Sequence, residues 1–503
     1  MPRRLCLLLL AIPLPLSPAF AQDAADQVIT EALKPSALEA NLRRLTDEIG
    51  GRVPGTPAMQ RAVDWGVDAF RAAGADSVHT ENFTLPVSWA EGATEMSVTA
   101  IPTRGRDRDQ KLSSVPVSQF RVRAVSVAWA PALLSHRHVR VIDVGEGAVE
   151  DFSRAGTVAG ALLLVHSEEM KKWDDLFAEY LRAPGIIDRA VTGKALAIAF
   201  QSTRPNDLLY RHTNSSEGEL DRLPMVLVAR ENAGRMARLL AGEALYADLS
   251  IPNHIGGPIT AANVIAELRG TEKPDEYVVL GAHLDSWELG TGALDNGCNA
   301  ALVIDTLRAI KASGLRPRRS IRFILFSGEE EGMVGSRAYT VTHSAELDMA
   351  VGVVIFDSGT GRVTGFSLGG RRDLIEAATP LVAPLKQFDA ATLTTDADWG
   401  TDNFDFLLQG VPTFVANQEE YNYLINYHAM SDTFDKVDLA QLKKHVAEAA
   451  ALTLGIANAP VRPGPRLNHA QIEQTLHETH MDEQLKTFGM WDSWESGKRG
   501  RKD

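Results

Sequence analysis

Tyr277-Val-Val-Leu-Gly-Ala-His-Leu-Asp-Ser286 is a short apolar, β-branched run that ends in a histidine and a carboxylate. Such a run suits a strand buried on both faces in a parallel sheet. The C-terminal edge of an open α/β sheet is where ligands bind, and this run delivers His283 there. Residues two apart on an extended segment point the same way, so Asp285 is placed to accept a hydrogen bond from the imidazole N–H turned away from a metal. That bond would hold His283 in a ligating tautomer. A lone His-x-Asp at a strand end is usually an ordinary surface histidine, so the reading depends on what the neighbouring strands deliver.

They deliver more of the same chemistry. Gly292-Ala-Leu-Asp295-Asn-Gly-Cys-Asn299 precedes an apolar-periodic helix predicted from about Ala300 to Lys311. Asp295 there is either an N-cap or a carboxylate shared by two cations, whose mutual repulsion needs a common anion. Ser320-Ile-Arg-Phe-Ile-Leu-Phe326 is another buried strand, running into Ser327-Gly-Glu329-Glu330-Glu331-Gly332. Three adjacent carboxylates repel one another unless they are solvated or meet a cation. If Glu330 binds metal, Glu329 is left beside it to take a proton from water at the metal. A fourth strand, Ala350 to Phe356, ends in Asp357, and His428 lies in the polar loop Tyr427-His-Ala-Met-Ser-Asp-Thr433.

No one of these pieces is diagnostic, but their order along one α/β stretch is. The chain resembles the co-catalytic zinc exopeptidases, most closely their carboxypeptidase Q (plasma glutamate carboxypeptidase) branch. The matching segments are Gly281-Ala-His-Leu-Asp-Ser-Trp287, Gly292-Ala-Leu-Asp-Asn-Gly297, Leu315-Arg-Pro-Arg-Arg-Ser-Ile-Arg322, Gly328-Glu-Glu-Glu-Gly332 and His428 with Asp432-Thr433. The resemblance runs from about residue 40 to 457. It implies two zinc ions per chain, one held by His283 and Asp357 and the other by Glu330 and His428. Asp295 would bridge them, Glu329 would be the general base and Asp285 would orient His283. Nitrogen and oxygen ligands suit zinc, although manganese or cobalt fits such a set. Where the family usually carries a second Asp after the bridging one and often a Gly three positions beyond, this chain has Asn296 and Asn299. The resemblance also implies a cis peptide bond after Asp295.

At 503 residues, the chain is too long for one ordinary domain, and 45% hydrophobic with 23% charged residues is globular composition. Fifty-one basic against 65 acidic residues leave a formal charge of −14, which argues against nucleic acid or an anionic membrane as partner. Arg3 and Arg4 precede the apolar stretch Leu5 to Leu16, and Ala19-Phe-Ala21 is a small-x-small cleavage pattern, so 1–21 reads as a signal peptide of a periplasmic or secreted protein. The apolar stretch is short for a membrane span, and no later segment resembles one. Loss of Cys6 with the signal leaves Cys298 alone, without a disulfide partner, and a buried small side chain is the expected role for it.

The fold class expected is α/β: a mixed, mostly parallel sheet flanked by helices, with a smaller α/β domain inserted. Residues 22–119 form the N-terminal part of the peptidase domain, with two helices between Pro35 and Ala75. Residues 120–255 form the insert, resembling a protease-associated domain and either covering the site's mouth or structurally inert. Its predicted strands are 139–144, 161–165, 195–200 and 225–228. Residues 256–458 carry the metal motifs, with helices at 372–385 and 438–457 and Asp402 a structural hydrogen-bonder. In the extension 459–503, an amphipathic helix is expected near 469–488, and the basic finish Lys498-Arg-Gly-Arg-Lys502 is expected to be disordered. The leading function is hydrolysis of short peptides with a free amino terminus, dipeptides above all, through a hydroxide bridging the metals. Alternatives are a broad aminopeptidase on longer peptides, a glutaminyl cyclase-like acyl transferase with one zinc, or a relative that has lost its metals. Residues 417–427, Trp287 and Glu288 are candidates to line the substrate pocket, and the resemblance implies a homodimer.

Overall fold

The computed structural model describes residues 18–103, 116–397 and 399–503. Residues 1–17, which hold most of the expected signal segment and Cys6, lie outside the described residues. The apolar runs picked out in the sequence form the centre of an eight-stranded sheet, in the order Arg319–Phe326, Lys273–His283, Ala350–Ile355, Thr413–Gln418, all mutually parallel. Antiparallel strands flank this quartet. Ile259–Leu268 and Ser77–Leu85 extend one edge; Val363–Ser367 lies antiparallel at the other, followed by Thr392–Thr394. The expected mixed, mostly parallel α/β architecture is therefore present.

Why the central runs lack polar alternation follows from their two covered faces. Val278, Leu280 and Ala282 pack into one core with helices Pro57–Ala73, Cys298–Ala312 and Leu439–Asn458, while Tyr277 and Val279 face a second core containing Tyr339 and Phe406. The last of those helices starts where expected, with the Asp438 carboxylate accepting the N–H groups of Ala440 and Gln441. The predicted helix at 372–385 is instead broken into a 3-10 turn Arg372–Leu374, an α-helix Ile375–Val382 and a further 3-10 segment Ala383–Phe388, with Pro380 and Pro384 interrupting the backbone donors.

The second module is built on another eight-stranded sheet, ordered Ser118–Val122, Glu95–Pro102, Glu243–Ile251, Leu133–Asp143, Leu162–Val165, Ala197–Gln201, Met225–Val228, Ala124–Ser126. This sheet draws in Glu95–Pro102, well before position 120, where the insert was expected to begin. That strand pairs along its length with Glu243–Ile251, and its alternating burial, typical of an antiparallel strand with one wet face, does not stand out as an apolar run. A two-residue ladder, Trp89–Ala90 against His254–Ile255, joins entry and exit of the module.

The extension after Pro460 forms three short helices, His469–Glu478, Met481–Thr487 and Trp491–Glu495, rather than one. The chain turns between them at His480 and Gly489, both at positive φ. Ile472, Leu476, Met481, Leu485 and Trp494 pack on Phe404, Leu407 and Leu408 of the domain built on the first sheet. The basic finish is ordered, contrary to expectation. Arg499 is fully buried, its guanidinium bidentate to Asp405 at 2.9 and 2.9 Å and donating to the Gly332 carbonyl at 3.2 Å. Charge composition pointed to solvent, whereas a buried carboxylate in another segment recruits this arginine.

Breaking that pair leaves Asp405 as an uncompensated buried charge. Arg499→Ala is expected to lower stability by about 3–5 kcal/mol, and joint replacement of both partners by apolar residues to recover most of it. Urea unfolding of the three proteins checks this, and equal losses in the single and double variants would contradict it.

Candidate metal centre

The parallel register brings the candidate ligands together. His283 lies opposite Phe326, and Gly281 opposite Ile355, so three strands end level and release His283, the Ser327–Glu330 loop and Asp357 at one edge. Asp295 arrives from the short Ala293–Gly297 turn before helix Cys298–Ala312, and His428 from the loop after Tyr423–Asn426. The peptide bond between Asp295 and Asn296 is cis.

Within the cluster, the two oxygens of Asp295 face different partners. His283 Nε2 lies 3.2 Å from Asp295 Oδ1 and 3.1 Å from Asp357 Oδ1, while His428 Nε2 lies 2.9 Å from Glu330 Oε2 and 3.4 Å from Asp295 Oδ2. Ligand atoms of His283, Asp295 and Glu330 fall within 4.8 Å of one another. Asp295 Oδ2, Glu330 Oε1 and Asp357 Oδ1 are buried without a hydrogen-bond partner among the described residues. Buried, unpaired carboxylate oxygens converging with two imidazoles, and no thiolate, fit a divalent cation of the zinc type.

Electrostatics point the same way. Burial, with repulsion from Asp295 and opposed by His283, pushes Glu330 well above the carboxylate range; burial, with Asp357 and Glu330 adding to it, does the same to Glu329. Burial lowers His428 to about 4, against the pull of Asp295. His283 is also desolvated, yet the carboxylates of Asp357 and Asp295 hold it well above its ordinary value. Carboxylates crowded into a dry space account for the shifts of Glu329, Glu330 and His283, and the dryness itself for that of His428.

The ligands are supported both by residues of the matching segments, Asp285, Asn296 and Asp432, and by Arg52 from outside them. The Nδ1–H of His283 donates to the Asp285 backbone carbonyl at 3.1 Å, while the Asp285 carboxylate sits 3.7 Å away and instead accepts Glu330 N at 3.2 Å. The strand turns immediately after His283, bringing the carbonyl closer than the carboxylate. Asp432 accepts the backbone N–H groups of Leu294 at 2.7 Å and Asp295 at 3.1 Å, and burial raises its pKa to about 7 despite those bonds. Beneath it, the buried Arg52 guanidinium donates to the carbonyls of Leu284, Gly50, Thr291 and Gly292 at 2.6, 3.0, 2.8 and 3.0 Å. Asn296 donates to the Phe356 carbonyl at 3.1 Å, and Asn299 to Asn296 at 2.7 Å, so both departures from the family pattern serve the scaffold. Cys298 is buried beside the Leu294 carbonyl. Asp402, expected to be a structural hydrogen-bonder, is fully buried with neither carboxylate oxygen hydrogen-bonded among the described residues.

The inserted module reaches the centre directly. His428 Nδ1–H donates to the Arg211 carbonyl at 3.1 Å, and Arg211 N–H returns a bond to the His428 carbonyl at 2.9 Å. A carbonyl only accepts, so this contact fixes the His428 tautomer with Nε2 toward the carboxylates. Arg211 is itself buried and paired with Glu91 at 2.6 Å and Glu288 at 2.5 Å. Gly332, at φ +105°, accommodates the module's Ser216, whose carbonyl oxygen lies 2.0 Å from where a Cβ would stand. The module is thus part of the site's scaffold.

A cavity of ≈ 380 Å³ opens over the cluster and is lined by His283, Asp295, Glu329, Glu330, Asp357 and His428. Asn417, Gln418, Tyr423 and Tyr427 line it, as the sequence led one to expect of 417–427. Trp287 and Glu288 do not: Trp287 is buried edge-on against His428, with ring centroids 5.8 Å apart, and Glu288 turns to Arg211. Tyr180 and Asn214 from the module, and Trp399 and Phe488, carried no signal in the sequence.

The model of Peptidase family M28 matches residues 263–453. Bovine (Bos taurus) carboxypeptidase Q is 26% identical over 445 residues, covering 87% of this chain and 89% of its own, and the human (Homo sapiens) protein is 25% identical at the same coverage. The crystal structure of a peptidase M28 precursor from Shewanella amazonensis superposes with a TM-score of 0.78 at 25% identity, covering 90% of this chain and all of that one. A zinc aminopeptidase of Bacillus subtilis shares the fold, with a TM-score of 0.61 at 18% identity over 82% of this chain and 93% of its own. The chain therefore resembles peptidase family M28 over residues 263–453 and carboxypeptidase Q over most of its length, and it is a metallo-exopeptidase of carboxypeptidase Q-like kind.

Proposed function

We propose that the protein is a two-zinc exopeptidase acting on short peptides with a free α-amino group. The observation that carries this reading is the division of Asp295, one oxygen toward the pair His283 and Asp357, the other toward Glu330 and His428. A carboxylate so shared suits two cations rather than one, which favours a peptidase over a one-zinc cyclase. His283 and Asp357 would hold one ion, Glu330 and His428 the other, with Asp295 bridging. Zinc in such a site acts as a Lewis acid toward the scissile carbonyl and the attacking water.

Glu329 is the residue left for proton transfer. It lines the cavity beside the ligands, 4.0 Å from His283 Nε2, and burial raises its proton affinity. It would take a proton from the attacking water and return it to the departing amine, while Asp285 would position the Glu330 backbone rather than act on substrate. Amine recognition is supported by the lining charges. Asp357, Asp396 and Glu329 face the cavity, and among the described lining residues there is no lysine or arginine to grip a carboxylate. A dipeptide's one bond is both its first and its last, so this preference and similarity to carboxypeptidase Q are compatible. An exported location rests on the sequence of residues 1–21 alone.

Chelation is expected to abolish activity and lower the melting temperature, with zinc restoring both and metal analysis giving two ions per chain. Full activity in metal-free protein would remove the reading. Glu329→Gln is expected to reduce kcat by about a hundredfold to ten-thousandfold with metal content unchanged. Loss of zinc in that variant would mean that Glu329 is a ligand. Turnover on a dipeptide, its N-acetyl form and a pentapeptide of the same start separates the substrate classes. Blocking the amine leaves buried polar groups unpaired and is expected to slow the reaction about tenfold or more. Equal rates on free and blocked peptides would refute amine recognition, and a faster pentapeptide would favour a broad aminopeptidase.

A further inference from the structure

Aromatic rings from three separate segments meet on one side of the cavity. Tyr180 comes from the inserted module's helix Trp173–Thr192, Trp399 from the segment before helix Asn403–Leu408, and Phe488 from the C-terminal extension. Trp399 and Phe488 stack with ring centroids 4.3 Å apart and planes 19° from parallel, and Tyr180 meets Trp399 edge-on at 6.2 Å. Each is only half-buried, so part of each ring still faces the cavity. Trp173 and Phe177, on the same helix as Tyr180, continue the apolar surface.

Phe488 owes its place to the extension's own packing. It follows helix Met481–Thr487 and precedes Gly489 at φ +69°, a turn that leads to the buried Met490 and Trp494. Leu485 and Met490 anchor its two sides in the cluster shared with Phe404 and Leu408, and the Arg499–Asp405 pair ties the end of the extension beneath the Gly332 loop. The ring is therefore held against Trp399 by a segment that supplies none of the candidate metal ligands. A substrate side chain laid on this wall would displace water from aromatic faces while the opposite wall holds the reacting bond.

Resting on the exopeptidase reading of the same cavity, we propose that the Tyr180–Trp399–Phe488 wall is the pocket for a bulky apolar side chain next to the scissile bond. Phe488 is its specificity-determining residue, and the C-terminal extension is a working part of the substrate site. The pocket would favour phenylalanine or leucine over alanine.

The test uses the full chain and two pairs of peptides that differ only in Phe against Ala, placed first in one pair and second in the other. In the wild type, the Phe-to-Ala ratio of kcat/KM is expected to reach about tenfold or more in one pair. It should fall toward unity in Phe488→Ala and be largely kept in Phe488→Leu. Trp399→Leu gives the same reading from the other ring should Phe488→Ala unfold, which thermal melting would reveal. Calorimetric binding of L-phenylalaninol and L-alaninol, which carry a free amine and no hydrolysable bond, supplies a readout independent of turnover. Tighter binding of the former, lost in Phe488→Ala, supports the pocket even if no peptide is cleaved, in which case only the exopeptidase reading fails. Chelator-sensitive hydrolysis with a Phe-to-Ala ratio unmoved by either ring variant would overturn the pocket and leave the exopeptidase standing.

Discussion

Four carboxylates, Asp295, Glu329, Glu330 and Asp357, are gathered with two imidazoles in a space where burial pushes both glutamates well above their ordinary proton affinity. Like charges so placed would part if the backbone let them, or neutralise by taking up protons. Much of the surrounding architecture prevents the first response. Level parallel strands fix His283 and Asp357, Asp432 grips the two N–H groups at Leu294 and Asp295, and Arg52 ties four carbonyls around them. A divalent cation would offset what remains, so the site's character as a candidate metal centre follows from its scaffold as much as from its ligands.

The inserted module contributes to that scaffold through the main chain. Its Arg211 carbonyl orients His428, and its Ser216 carbonyl occupies the space left by Gly332. A run of aromatic contacts, Trp89 on Trp129 and Trp129 on Trp287, leads from the neck of the module to the ring of His428. A change in the seating of the module would therefore reach a candidate ligand and one wall of the cavity together. Of the two roles open to it from sequence, inertness is the one these contacts disfavour.

The C-terminal extension shows how charge composition misleads when a distant partner exists. Arg499 looks like part of a solvated basic tail, yet it is buried against Asp405, and the helices before it close a core with Phe404 and Leu408. The consequence reaches the cavity, because Phe488 is carried there by the same packing.

What could be read from the chain is local in sequence. Apolar runs buried on both faces announced the central strands, residues just beyond them made His283, Glu329, Glu330 and Asp357 candidates, a carboxylate before a helix and a histidine in a polar loop added Asp295 and His428, and family resemblance assigned the expected roles. The antiparallel strand Glu95–Pro102 was harder to see, since one wet face gives it alternation instead of an apolar run. Arg52 and Asp432 act by side-chain hydrogen bonds to backbone groups and Arg211 through its own backbone carbonyl, and no pattern of residue types marks an arginine that will be buried beneath carbonyls from another segment. The turn after His283, which gives its Nδ1 to the Asp285 carbonyl rather than the carboxylate, depends on backbone geometry that spacing does not encode. The sequence by itself thus determined the sheet's central strands and the chemistry at their ends. Tertiary structure alone decided which backbone groups orient the ligands and which three segments wall the cavity, because those contacts depend on local backbone turns, as at His283, or join residues far apart in the chain, as do Arg211 with His428 and Tyr180 with Trp399.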